Sequence, residues 1–220
     1  VILAAWAEWG PKSLSRLNGM FAFAIHDAAD RSVTMVRDRL GVKPLYHARL
    51  PDGRIAFASE LKGLLALPQI ERKPDLLAIE DYMAFGYVPD ERCIVAGVEK
   101  LGAGHYLRIA PDEVNAPVRW WDVDFSRRTN GNAADFEAEL RDLLRDAVTS
   151  RMVADVPLGA FLSGGVDSSS VVAFMAEASS HPVATCSIGF DEAALDESDY
   201  ARRIAEQFHT DHRRRIVAAD

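Results

Sequence analysis

The chain has 220 residues, 49% hydrophobic and 26% charged, ordinary globular chemistry with room for one large or two small domains. A formal net charge of −8 argues against a nucleic-acid-binding surface, and the short Arg213-Arg214-Arg215 run reads as a solvated strand entrance rather than a basic patch. No apolar run approaches the ~20 residues that span a bilayer, and two widely separated cysteines, Cys93 and Cys186, point to a reducing cytoplasm rather than a disulfide scaffold.

The first turns read as a helix with Trp6 and Trp9 in its core. Asn18-Gly19 is a turn, followed by a strand alternating bulky and small residues through Asp27, with 33–37 as its hairpin partner. In Arg37-Asp38-Arg39-Leu40-Gly41-Val42-Lys43-Pro44-Leu45-Tyr46, Gly41 and Pro44 punctuate the backbone; charges beside glycine in a hairpin are ordinarily a solvated loop. Leu45-Tyr46 begins a strand that pairs with 55–58 across the Pro51-Asp52-Gly53 turn. Pro68, Pro74 and the polar residues between them mark a linker, and a short helix near 75–85 leads into irregular strands.

A second boundary falls at the 127–132 loop, where Asn132 is placed to cap a helix over 133–153. That helix carries Phe136, Leu140, Leu143, Leu144, Ala147 and Val148 on one face. A buried strand over 158–162, a helix over 167–178 and a strand over 183–190 then make a βαβ unit, with Cys186 a small buried hydrophobe in the second strand. A helix over 198–208 spaces Tyr200, Ile204 and Phe208 four apart, and Ile216-Val217 starts a third strand. Strands alternating with helices imply a parallel sheet with ligands at the strands' carboxyl ends.

At that end lies Leu162-Ser163-Gly164-Gly165-Val166-Asp167-Ser168-Ser169, where an apolar strand runs into a glycine- and hydroxyl-rich turn opening a helix. Gly164 and Gly165 are read as turning with positive φ and leaving no Cβ to block a close ligand, while the helix's first N–H groups point outward. Ser163, Ser168 and Ser169 each add a hydroxyl, and Asp167 fits beside phosphate if it holds magnesium. An ordinary strand-to-helix turn uses the same residue types. The string lacks the Walker lysine and the G-x-G-x-x-G spacing. The six histidines show no zinc-ligand spacing, His209 and His212 flanking a loop.

The octapeptide resembles the SGGxDSS pyrophosphate loop of the ATP pyrophosphatase superfamily. The run over 17–65, with RDRLGVKPLY followed by FASELKGL, resembles the last part of a class II glutamine amidotransferase domain, the N-terminal-nucleophile type. Together they resemble glutamine-hydrolysing asparagine synthetases over nearly the whole chain. Residues 75–125, through Tyr87-Val88-Pro89-Asp90 and Trp120-Trp121-Asp122, are similar to that family's connecting segment, most of all in bacterial homologues from polysaccharide-associated gene clusters.

The resemblance implies an α+β part followed by an α/β part. The former is the back half of an αββα sandwich over 1–70, then a connecting segment over 71–131; the latter is the start of a parallel-sheet ATP-pyrophosphatase domain over 132–220. It implies adenylation of a carboxylate such as aspartate by ATP with Mg2+, displacement of AMP by glutamine-derived ammonia, and no nucleic-acid or membrane partner. Leu162, Ser163, Gly164, Gly165, Asp167, Ser168, Ser169 and Ile188 are the implied nucleotide-binding residues, Asp167 the magnesium contact, and Leu162 and Ile188 acting through backbone groups. The chain opens at Val1, without the amino-terminal cysteine nucleophile, so the expectation is an internal fragment with no glutaminase catalytic residue. A β-lactam-synthetase-like or other carboxylate-activating amide former, or an inactive nucleotide-binding remnant, shares these features, and the family allows a homodimer of the full-length protein.

Overall fold

The computed structural model describes residues 1–90, 92–111, 113–192 and 196–217. It divides into two compact units, Val1–Arg127 and Arg128–Asp220. Both mix helices and sheets, but the first unit's strands are all antiparallel and the second's all parallel.

In the first unit, α1 (Ile2–Trp9) and a 3-10 turn (Gly10–Arg16) precede the hairpin β1 (Ala22–Asp27) and β2 (Ser32–Arg37), paired from Ala22↔Arg37 to Asp27↔Ser32. The second hairpin, β3 (Tyr46–Arg49) with β4 (Ile55–Ala58), closes through Gly53 at φ 86, whose N–H donates to Leu50 O at 2.9 Å. Left-handed backbone at that corner favours glycine. After α2 (Leu61–Leu65), α3 (Leu76–Phe85) starts at Asp75, which accepts from Ala78 N–H at 2.9 Å, and stops at Gly86 in the αL conformation.

Residues from the stretch after Pro74 complete both sheets. β5 (Val98–Lys100) joins β3 to give the order β4-β3-β5. β6 (His105–Ala110) pairs with β2, and β7 (Glu113–Val114) and β8 (Val118–Arg119) pair with β6. Met35, Leu45, Leu101 and Leu107 form one core cluster, and Ala48, Leu64, Cys93, Val95 and Val98 another. Trp6 and Trp9 are not in either: α1 buries no residue, and Trp9 instead lies 4.0 Å beneath the Arg16 guanidinium.

In the second unit, α4 (Ala133–Thr149) opens with a reciprocal cap: Asn132 Oδ1 accepts from Ala134 and Asp135 N–H, and Asp135 accepts from Asn132 N–H. It ends four residues before the expected Val153, because the Ser150 hydroxyl and the Arg151 guanidinium both donate to Ala147 O and terminate the ladder. The apolar stripe does lie along one helix but is mostly open. Val148 packs on Met175 and Val183, whereas Phe136, Leu140 and Leu143 are exposed.

β9 (Gly159–Phe161), α5 (Val166–Ala178), β10 (Ala184–Phe190), α6 (Ser198–Gln207) and β11 (Asp211–Val217) form a parallel sheet in the order β11-β10-β9. α6 turns Ala201 and Ala205 inward against Leu162 and Val172, with Ile204 and Phe208 alongside. Tyr200, expected on that face, is exposed, since the small alanines let α6 approach closely and leave a ring no room. β11 begins earlier than expected, so Arg213, Arg214 and Arg215 lie within a paired strand rather than at its entrance. Cys186, facing opposite to buried Thr185 and Ser187, is only half-buried.

Candidate functional site

The turn after β9 is built on a buried anchor. Leu162 is 1% exposed and its N–H donates to Cys186 O at 2.9 Å, extending the parallel pairing by one residue. Beyond it, Gly164 turns with φ 83. A Cβ there would collide with Tyr200 Cβ and lie 2.6 Å from Ala201 N, so the turn is seated directly on the backbone of α6. Gly165 is different: as the residue before α5 it has φ −70 and ψ 164, ordinary extended backbone, and its Cβ would meet only Ser163 Oγ at 3.4 Å. The expected positive φ therefore holds for Gly164 alone. One left-handed residue suffices to reverse the chain, and the second glycine serves space rather than conformation.

The hydroxyls face one another. Ser168 Oγ donates to Gly165 O at 3.3 Å and accepts from Ser163 N–H at 3.2 Å, and the Ser163 and Ser168 oxygens are 2.9 Å apart. With Ser168's proton on Gly165 O, Ser163 donates to Ser168, and Ser163 Oγ accepts from Gly165 N–H at 3.3 Å. Both hydroxyl protons are thus engaged within the turn. No side chain caps α5, and among the described residues nothing accepts from the N–H groups of Gly164, Val166, Asp167 or Ser168. Four open amides at a helix start, where the helix dipole adds partial positive charge, make a cradle for an anion.

Asp167 is exposed in the first turn of α5 and forms no ion pair among the described residues. Ser169 departs from the other two serines, its hydroxyl lying inside the unit without a hydrogen-bond partner among the described residues. Ile188, 56% exposed, lies on neighbouring β10. With Leu162 and Ser163 it lines a cleft of about 240 Å³ that reaches Ser187, Ser198 and Ala201. No cluster of three or more His, Cys, Asp or Glu side chains converges on a metal position among the described residues.

Two further constellations were not evident as such in the sequence. The Arg37-Asp38 pair, in a segment that reads as solvated loop, is buried, at 3% and 1% exposure. Arg37 donates to Lys43 O, Gly41 O and Leu101 O at 2.9, 2.6 and 2.7 Å and pairs with Asp90 at 3.1 Å. Asp38 accepts from Phe21, Val42 and Lys43 N–H at 3.3, 3.0 and 2.9 Å. Every polar atom that burial takes from water is repaid by a backbone partner. In the second unit, Thr210, Thr185, His212 and Ser187 form a row: Oγ1 to Oγ1 2.8 Å, Thr185 Oγ1 to Nδ1 2.9 Å, and Nε2 to Ser187 Oγ 3.1 Å. Burial pushes His212 below its ordinary pKa. The signal was a Thr-x-Ser repeat on one strand and a histidine in register on the next, visible only once the register is known.

Residues 1–121 match the family of glutamine amidotransferase domains, and residues 139–220 match the asparagine synthase family. A Mycobacterium bovis protein assigned as a glutamine-hydrolysing asparagine synthetase is 37% identical over 100% of this chain and 34% of its own length. Asparagine synthetase (glutamine-hydrolysing) 1 of Bacillus subtilis is 33% identical over 100% of this chain and 34% of its own. The amidase chyE of Penicillium rubens is 31% identical over 96% of this chain and 33% of its own. The chain spans about a third of the length of these curated relatives.

Proposed function

The chain belongs to the glutamine-hydrolysing asparagine synthetase family, and from that premise we propose that it serves ATP-dependent amide formation, in which a carboxylate is adenylated and ammonia from glutamine displaces AMP. A carboxylate oxygen is a poor leaving group, and adenylation replaces it with a good one. Aspartate is the proposed acceptor, with asparagine, AMP and pyrophosphate as products. No described helix is long and apolar enough to cross a membrane. We propose a reducing, cytoplasmic setting on the ground of the two free cysteines.

The observation that carries this reading is the turn from Ser163 to Ser168, with its open amides and the left-handed Gly164 seated on α6. The N–H groups of Gly164, Val166, Asp167 and Ser168 would donate to pyrophosphate oxygens, more strongly as charge builds on them during departure. Leu162 and Ile188 would flank the nucleotide through their backbone. Asp167, a free carboxylate beside the cradle, suits magnesium, a hard cation that takes few protein ligands and fills its shell from phosphate and water. When bound, the ion would neutralise charge on the departing pyrophosphate.

Titration calorimetry with magnesium pyrophosphate tests the reading. The wild-type chain should show saturable binding and Gly165→Val none, because a side chain at 165 fits the backbone but projects beside Ser163 into the cradle. A melting temperature within a few degrees of wild type shows that the variant is folded. Equal binding by both chains, or none by either, overturns the assignment of the turn.

A further inference from the structure

The row Thr210, Thr185, His212, Ser187 ends at the wall of the cleft shared by Leu162, Ser163 and Ile188. Thr185 and Ser187 are 3% and 6% exposed, so their hydroxyls bond mainly within the row. The groups around the imidazole keep it neutral. β10 brings only the two hydroxyls, and the buried residues of α6 behind them are Ser198, Ala201 and Ala205. On β11, the charged side chain two residues along is Arg214, paired with Asp196 at 2.9 Å. Glu197 also lines the cleft, and among the described residues no hydrogen bond or ion pair joins it to the ring.

A neutral imidazole has one N–H and one bare nitrogen, so protons along the row run in one of two directions. If Thr185 donates to Nδ1, Nε2–H donates to Ser187 Oγ, and the Ser187 proton is left to point into the cleft. In the other tautomer, Nδ1–H donates to Thr185 and Ser187 donates to Nε2, offering the cleft only lone pairs. The cleft, about 240 Å³ and lined mainly by apolar side chains, suits a planar heteroaromatic ring, and Ser187 is its one neutral side chain wired to a tautomeric partner.

We infer that His212 is a positioning residue that sets whether Ser187 donates or accepts toward the cleft, and so selects between heteroaromatic ring edges that present an acceptor and those that present a donor. This inference rests on the reading of the cleft as the place of the nucleotide.

The test compares ATP with inosine triphosphate, which replaces adenine's ring-nitrogen acceptor N1 and exocyclic amino donor by an N–H donor and a carbonyl acceptor. Magnesium pyrophosphate, which has no base, is the reference. The wild-type chain should prefer one of the two nucleotides by about fivefold, the worth of one hydrogen bond. Ser187→Ala and His212→Phe should reduce that preference to less than twofold, and His212→Gln, which can still bond both hydroxyls, should restore part of it. Nitrogen-15 shifts of the His212 ring should report opposite tautomer populations in the two complexes, a signature that simple packing would not give. Unchanged preference in the folded variants, or the same tautomer population in both complexes, overturns the inference while magnesium pyrophosphate still binds. Failure of the wild-type chain to bind magnesium pyrophosphate overturns the reading of the turn and the inference with it.

Discussion

Gly164→Ala and Gly165→Ala make a paired experiment in which two adjacent glycines should behave oppositely. At Gly164 an alanine must adopt φ 83, a strain of about 1–2 kcal/mol for a residue with Cβ. Its methyl would also overlap Tyr200 Cβ and stand 2.6 Å from Ala201 N and Tyr200 C. These are helix backbone atoms and a Cβ, none able to rotate aside, so α6 must move by several tenths of an ångström, an overpacking cost of about 1–3 kcal/mol. The sum of ~2–5 kcal/mol is a large share of the 5–15 kcal/mol that ordinarily holds a domain together. At Gly165 neither term applies, and exchange of one weak cap for another costs under about 1 kcal/mol. At roughly 4–8 °C per kcal/mol for a small domain, Gly164→Ala should melt at least ~8 °C below wild type by circular dichroism, and Gly165→Ala within a few degrees of it. A Gly164→Ala chain melting with the wild type would refute the seating of the turn on α6.

Asp167→Asn should lower the melting temperature by no more than a few degrees, because among the described residues the wild-type carboxylate has no partner to lose beyond the dipole of α5, while pyrophosphate binding loses its dependence on magnesium concentration; a preserved dependence would place the metal contact elsewhere. Asp38→Ala strips the acceptor from three backbone N–H groups in a buried site, and at ~1–3 kcal/mol for each unpaired group it should unfold or deeply destabilise the first unit in urea titrations, whereas a loss under 1 kcal/mol would show that water enters and replaces the carboxylate. Burial lowers the pKa of His47, despite the opposing pull of Glu99, and of His212, so the unfolded chain takes up protons near pH 6.5 that the folded chain resists. That stability is complete above pH 6.5 and is lost as pH falls toward the folded values, so the melting temperature should decline between pH 7.5 and 5.5; a rise on acidification would contradict it.

Local chemistry was the readable part of the sequence. The two hairpins, the Asn132 cap and the αβα punctuation around Ser163 each depend on residues a few positions apart, and their signals are short-range. What escaped reading depends on a neighbour distant in the chain. Gly164 and Gly165 look alike until α6, more than thirty residues later, is laid over one of them. Arg37 looks solvated until Leu101 and Asp90 come round to receive it. The α4 stripe shows the converse: periodicity says which residues share a face, but not how much of that face this unit covers.

The Arg37-Asp38 knot also sets the order in which the first unit can assemble. Arg37 ends β2, and the carbonyl it grips at Leu101 lies 64 residues on, just past β5 of the other sheet. Asp38 O meanwhile accepts from Gly104 N–H at 2.8 Å, just ahead of β6. The knot therefore cannot close until the strands of both sheets are in place, and until then neither charge has its partners. Partial forms with one finished sheet would have to hold these charges half-solvated, which discourages them and ties the two sheets into a single cooperative event. The slow clock of that event should be legible in hydrogen exchange, where the amides of Phe21, Val42 and Lys43, although they sit in a loop and at its margins, would exchange with the strands' most protected amides, through global opening.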